Sequence, residues 1–363
     1  MHELWGGRNS SNAYDNLDLG ILAVPLTFDG FSVTPWAMFG MMGKNAARTM
    51  LAGEVSGSRD YVTRGLFPVT MATDRVGPNQ FRLNRTYATM FWVGIPITID
   101  AFDPFNFEFD FNYGYMSGFG RYDDPWARNP DGTPRRNDSR REGFVLKALA
   151  EYKTDWGVPG IFGWYSSGDN GNPRDGSERI PLVSTDTPDL MLSTFGFNGS
   201  PSVSGQYDGI FGNNSLAGTW GIGVRIRDMS FLEGLTHTLR VNFFGGTNDP
   251  SMAKAMLGKT YDPSWNRNDM GSFDFFGGNR TAGKGLYLTT QDYAIEVNFD
   301  TLYKIYDNLD MMVELGYIHL WLDQSRSVWG SAPAGAYGNA PNGIRGVSVT
   351  DALKAAVYFR YSF

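Results

Sequence analysis

The chain contains no cysteine, only three histidines, and charged residues making up no more than 19% of its length. Without a thiol there is no disulfide framework, no cysteine nucleophile and no cysteine-ligated metal centre. A polypeptide that crosses an oxidising compartment unfolded gains by having nothing to mispair. No stretch reaches the roughly 18 to 20 continuous apolar residues that a membrane-spanning helix needs, so helical insertion is excluded. Met1 is followed by His2, Glu3, Leu4, Trp5, Gly6 and Gly7, and no basic, apolar secretory leader precedes the first patterned segment. The expectation is that such a leader was removed or that the chain begins inside a longer precursor. The net charge of −7, with no basic patch away from the strand faces, argues against a nucleic-acid partner.

Aromatics and glycine are plentiful instead. Fifteen percent Phe, Trp and Tyr with 45 glycines suits many aromatic-tipped strands joined by irregular loops. The mean hydropathy of −0.30 is polar, yet this is compatible with a membrane sheet, because a spanning strand offers lipid only every second side chain.

Strict alternation is the dominant pattern. Leu353, Ala355, Val357, Phe359, Tyr361 and Phe363 share one face of the last strand, and Lys354, Ala356, Tyr358, Arg360 and Ser362 the other. Over 293–306 the residues Tyr293, Ile295, Val297, Phe299, Thr301, Tyr303 and Ile305 oppose Ala294, Glu296, Asn298, Asp300, Leu302, Lys304 and Tyr306. Tyrosines at both ends with aliphatics between them mark a strand whose ends sit at the two membrane interfaces. Comparable spans are predicted at 17–23, 31–41, 85–97, 105–115, 144–152, 161–167, 219–227, 238–244 and 310–322. Trp220, Tyr293, Tyr303, Trp321, Tyr361 and Phe363 are the expected aromatic girdle. Pro25, Pro35, Pro96 and Pro159 are expected at strand ends or bulges, since a closed sheet has no edge on which to hide a missing N–H.

The connections fall into two kinds. Within pairs they are brief, as at Asp29-Gly30 and Asp307-Asn308; between pairs they are long, near 42–84, 117–140, 168–216, 245–291 and 323–347. A barrel with short periplasmic turns and long outer loops sorts its connections in this way. The predicted fold is therefore all-β, a single transmembrane antiparallel up-and-down β-barrel domain over 1–363, with about eleven strands visible. An odd number requires at least one further upward strand, preceding Met1 or hidden in 42–84, with 1–14 as the end of an outer loop.

The segment Val24-Pro25-Leu26-Thr27-Phe28-Asp29-Gly30-Phe31-Ser32-Val33-Thr34-Pro35, the segment Gly163-Trp164-Tyr165-Ser166-Ser167-Gly168-Asp169 and the aromatic tail 357–363 carry a resemblance to a known family. The chain resembles the Gram-negative trimeric porins, most of all the homotrimeric outer-membrane porins of sulfate-reducing bacteria. That resemblance implies a sixteen-stranded barrel with a constriction loop in its lumen, and a terminal aromatic strand that is read during barrel assembly. It also implies a homotrimer in contact with outer-membrane lipid and lipopolysaccharide.

Function in such a protein lies on the wet face. The register turns Arg225, Arg227, Arg240, Lys354 and Arg360 inward, together with Glu108, Asp110, Glu296, Asp300 and Glu314. With like charges massed on one wall and opposite charges on another, these residues would set a transverse field across a column of water. Asp169, Asp175, Glu178, Asp186, Asp189 and Asp208 lie in the longest loop, the candidate constriction. No twelve-residue calcium-binding loop occurs, and no metal or cofactor is expected. His237 and His319 fall on the lipid face, away from any catalytic arrangement, so no enzyme is expected.

The function expected is a general diffusion porin in the bacterial outer membrane, passing small hydrophilic solutes and ions. A substrate-specific channel, an adhesion or surface-array barrel, and a secreted carbohydrate-binding β-sandwich are the alternatives.

Overall fold

A computed structural model of the chain describes residues 2–3, 16–46, 66–68, 85–172, 174–181, 216–252, 288–323, 325 and 351–362. The strands are β1 (His2–Glu3), β2 (Leu17–Ala23), β3 (Leu26–Phe28), β4 (Phe31–Val33), β5 (Trp36–Gly43), β6 (Tyr87–Ile99), β7 (Phe105–Met116), β8 (Arg121–Arg128), β9 (Pro134–Asp138), β10 (Arg141–Tyr152), β11 (Val158–Ser166), β12 (Thr219–Leu232), β13 (Leu235–Gly246), β14 (Tyr293–Tyr306), β15 (Leu309–Trp321) and β16 (Asp351–Tyr361). All but β8 and β9 belong to one antiparallel sheet in the order β1-β2-β5-β6-β7-β10-β11-β12-β13-β14-β15-β16, with β3 and β4 filling out its turn end. The architecture is all-β and up-and-down, as the alternation predicts.

Prolines explain why the first two spans are broken. Val24-Pro25 interrupts one span between β2 and β3, and Thr34-Pro35 interrupts the next between β4 and β5. The chain stays in line across both gaps, because Val24 N–H donates to Pro35 O at 3.0 Å and Thr34 N–H donates to Pro96 O at 3.1 Å. Pro96 stands where β6 changes partner from β5 (Trp36 opposite Gly94) to β4 (Val33 opposite Ile97). Taking β2 with β3 and β4 with β5 as interrupted spans, the described sheet has the eleven spans expected, plus β1.

Two expectations are corrected. His2–Glu3 do not belong to an outer loop: they form a short antiparallel ladder with Leu19 and Asp18, alongside the start of β2, where an upward strand would run. The connection 117–140 is not a plain loop either, since β8 and β9 form a separate two-stranded ladder there. Arg121, Arg128, Arg135 and Arg136 break the hydrophobic alternation in this segment, so pattern alone gives no strand.

At one end of the sheet the connections are short: 29–30, 100–104, 153–157, 233–234 and 307–308. Gly30 and Gly234 take the left-handed backbone that these tight turns demand, with φ of 68° and 73°. At Gly30 a side chain would also collide with the backbone of Ala101, so glycine is needed twice over. The long connections join strands at the other, outer end.

The two faces of the sheet are inverted relative to a soluble protein. Phe39, Phe105, Phe107, Phe109, Ile161, Ile222, Val224, Phe243, Phe299 and Leu315 are exposed, whereas Glu296, Asn298 and Glu314 on the opposite face have no exposure at all. A sheet in water would hide the first set and solvate the second. Tyr293 and Tyr303 sit ten residues apart on the apolar face of β14. At ~3.3 Å per residue and a tilt near 40° that separation spans roughly 25 Å, the height of the apolar band of an outer-membrane barrel.

Candidate functional site: the inward face

The inward face is built by register. Across β7, β10 and β11 the rungs Asp110–Lys147–Trp164 and Asn106–Glu151–Gly160 place alternate residues of each strand side by side. The next ladders bring Gly160 against Arg225, Arg225 against Arg240, and Arg240 against Asn298. Every residue expected to line a pore (Arg225, Arg227, Arg240, Lys354, Arg360, Glu108, Asp110, Glu296, Asp300 and Glu314) is on this face.

Charge is not sorted onto opposite walls, which corrects the transverse-field expectation. Arg225 and Arg240 stand directly opposite one another, an unfavourable like-charge pairing unless each has a counter-ion. Each has one. Arg225 Nη2 donates to Glu151 Oε1 at 2.6 Å, and Arg227 donates to the same carboxylate through Nε (2.8 Å) and Nη2 (2.9 Å). Arg240 Nη1 donates to Asp300. Farther along, Lys147 Nζ meets Asp110 at 3.2 Å, Lys354 Nζ meets Glu314 at 3.5 Å, and Arg360 Nε donates to Asp310 at 3.1 Å. Asn106 Nδ2 joins Glu108 to Glu151, at 3.2 and 3.4 Å. Acids alternate with bases within one or two strands, because buried charges of one sign could not be massed without a large desolvation cost.

Nor is the whole inward face wet. Toward the outer end it is apolar, in two clusters. One holds Leu17, Met42, Ala88, Met90, Trp92 and Met116, covered by Leu66, Phe67, Phe119 and Tyr122. The other holds Val145, Phe162, Trp164, Phe244, Ala294, Ile318 and Leu320, covered by Ile180, Leu216, Ala217 and Leu288. Each large side chain removed from water here contributes about 1.5–3 kcal/mol. The interior is therefore layered, apolar below the long connections and charged toward the short turns.

Part of the longest loop does fold inward. Trp92 Nε1 donates to Pro181 O at 2.7 Å, and Arg141 donates to Arg179 O and Ile180 O at 3.0 and 2.8 Å. Gly143 leaves room for this segment: a side chain there would strike Glu178 and Ile180. Asp169 is buried and accepts from Ser177 Oγ, and Asp175 accepts from Asn172 Nδ2 at 3.0 Å. Glu178 accepts from Asn170 N–H at 2.9 Å, and its pKa is raised first by burial and then by the Asp169 and Asp175 charges. Asp186, Asp189 and Asp208 lie outside the described residues. Among the described residues no group of carboxylates and histidines is arranged to hold a metal.

The girdle residues Tyr293, Tyr303, Trp321 and Tyr361 are exposed and Trp220 is half-buried, all on the outward face; Phe363 lies outside the described residues. His237 is also outward, its Nδ1 2.9 Å from Thr301 Oγ1. His319 Nδ1 is 2.5 Å from Asp351 Oδ1, which also accepts from Tyr317 OH at 2.9 Å. Sequence reasoning missed this trio, along with Glu151, Lys147, Trp92 and Arg141. Parity could have found Glu151 and Lys147, which alternate with the outward Ala148 and Ala150. The partners of Trp92 and Arg141 are loop carbonyl groups that no periodicity reveals.

No protein-family model matches the chain, and no curated protein matches it. Among solved structures it is similar to the NanC porin, at 7% identity and a TM-score of 0.30, with 97% of this chain and 96% of that one covered. It is similar to the ferric enterobactin receptor PfeA mutant from Pseudomonas aeruginosa, at 10% identity and a TM-score of 0.38, where it spans only 39% of the receptor. It is also similar to LpxR from Salmonella typhimurium, at 9% identity and a TM-score of 0.26, with 96% and 88% covered. Likeness this faint carries no weight on activity; strand order and face chemistry define the architecture.

Proposed function

We propose that the chain forms a passive outer-membrane channel for small hydrophilic solutes and ions, working as a homotrimer without cofactor or enzymatic activity. The inversion of its two faces carries this reading. Exposed Phe, Ile and Val on one side demand hydrocarbon, and charged side chains on the other demand an enclosed polar interior. General diffusion needs only size exclusion and wall charge.

A substrate-specific channel is the second reading, and the interleaving of Arg225, Arg227, Arg240, Glu151 and Asp300 favours it. A wide diffusion pore would leave such groups hydrated, whereas a narrow path lined by alternating charges offers successive polar contacts to one class of solute. Purified protein in a planar lipid bilayer decides both questions. Discrete conductance steps support the channel, and their absence would refute it. Conductance linear in solute indicates general diffusion, and saturation at millimolar solute indicates the specific channel.

A further inference from the structure

Arg141 opens β10 on the inward face, and its side chain touches two connections that are far apart in sequence. Nη1 donates to Phe67 O at 2.8 Å, Nε to Arg179 O at 3.0 Å and Nη2 to Ile180 O at 2.8 Å. The residue is 3% exposed. Charge-assisted hydrogen bonds from a buried guanidinium are among the stronger polar contacts a protein makes, and the planar fork fixes their directions. The fork therefore sets where both segments sit relative to the wall.

Other contacts hold these segments as well. Ser177 continues the β10 ladder beyond the point where β11 ends: Glu142 N–H donates to Ser177 O at 2.9 Å and Ser177 N–H to Arg140 O at 3.0 Å. Beyond it, Pro181 O accepts from Trp92 across the inward face of β6. Arg179 Nη2 donates to Ala217 O at 2.7 Å, joining the two ends of one connection. Phe67 stacks on Phe119 at 6.2 Å over the first apolar cluster. The segments at 66–68 and 177–181 thus cover the apolar layer from two sides and meet at a single cation.

We propose that Arg141 is the positioning residue of a two-part internal gate, one guanidinium holding both segments so that they are released together. This rests on the channel reading above. Because both segments cover the apolar layer, their release would uncover it and admit larger solutes. A lysine cannot replace the arginine: its ammonium is a compact point charge with no fork, and cannot serve Phe67 O and the 179–180 carbonyl groups in the same geometry.

The test uses Arg141→Ala and Arg141→Lys in the full chain, with folding of each checked by a change in gel mobility on boiling. Both variants are expected to raise single-channel conductance by about twofold or more and to pass larger uncharged sugars, since a constriction dominates pore resistance. Guanidinium ion at millimolar concentration should return Arg141→Ala toward the wild-type conductance, whereas a general loosening of the barrel would not be reversed by it. Hydrogen exchange read by mass spectrometry should show peptides covering 66–68 and 177–181 losing protection together. Trp92→Phe should loosen only the second. Unchanged conductance in a folded variant, or loss of protection in one segment alone, overturns the gate. If the wild type does not conduct, the channel reading falls, while the exchange experiment still decides whether the two segments are coupled.

Discussion

Glu151 carries more of the interior than any acid singled out by its sequence pattern. Its side chain is almost completely enclosed and receives three guanidinium hydrogen bonds from Arg225 and Arg227. Removing one member of a buried ionic cluster leaves the others uncompensated, and that loss is larger than the net worth of the pair. Arg227 keeps a third of its surface in solvent, so the penalty is discounted for screening. Glu151→Ala is expected to destabilise the folded barrel by roughly 2 to 4 kcal/mol, measured by urea unfolding in detergent. It should also shift the reversal potential in a salt gradient toward anions, because two arginines lose their counter-ion.

Glu178 makes a pH-dependent contribution from a loop. Burial, reinforced by Asp169 and Asp175, raises its pKa above the ordinary glutamate value. A raised carboxyl pKa means that the folded state prefers the protonated form. Ionisation therefore costs stability, and the cost grows as pH rises from the ordinary value through the raised one. Glu178→Gln should match the wild type in unfolding temperature near ~pH 4 and exceed it near ~pH 7, where the unfolded glutamate is fully ionised. Equal unfolding temperatures at both pH values would contradict the assigned environment.

At the scale of the strand, the apolar face of β15 separates a membrane protein from a water-soluble one. Leu315 lies midway between Leu309 and Trp321, is 45% exposed, and stands beside Phe299 and Ala355. On a soluble surface Leu315→Arg would change stability by no more than ~0.5 kcal/mol. In the middle of a hydrocarbon band it should cost about 2–4 kcal/mol, read from folding titrations into lipid vesicles. On β7, Phe105 and Phe107 stack at 6.1 Å and Phe105 meets Tyr152 edge-on at 5.0 Å. We propose this stripe as a contact between subunits. Phe107→Leu with Phe109→Leu should then lower the temperature at which the oligomer dissociates in detergent, and an unaltered oligomer would remove the stripe from the interface.

At the scale of the whole molecule, the proposed channel would pass only what the layering of the interior allows. Buried apolar clusters lie beneath the long connections at the outer end, and the paired charges beyond them keep the turn end polar without a large net field. On the channel reading a solute must cross both layers, so the segments at the outer end are where access would be controlled. A barrel of this kind should stay folded in mild detergent and change mobility on boiling; a secreted sandwich would remain soluble with no detergent at all.

Period-two alternation, with tyrosine at the strand ends, determined from sequence alone that the protein is an up-and-down sheet with one greasy and one charged face. Each strand must satisfy lipid and interior separately, so parity is written into every span, and the positions of Arg225, Glu296 and Glu314 on the polar face follow from it. The interrupted first spans were legible as well, because proline cannot donate to a ladder. Only the tertiary structure decided which charges neutralise one another, since Glu151 meets Arg225 and Arg227 across an intervening strand, 74 and 76 residues away. The same is true of the apolar layer and of Arg141, whose acceptors are carbonyl groups. Every residue carries such a group, and it becomes a specific partner only when folding brings it into place.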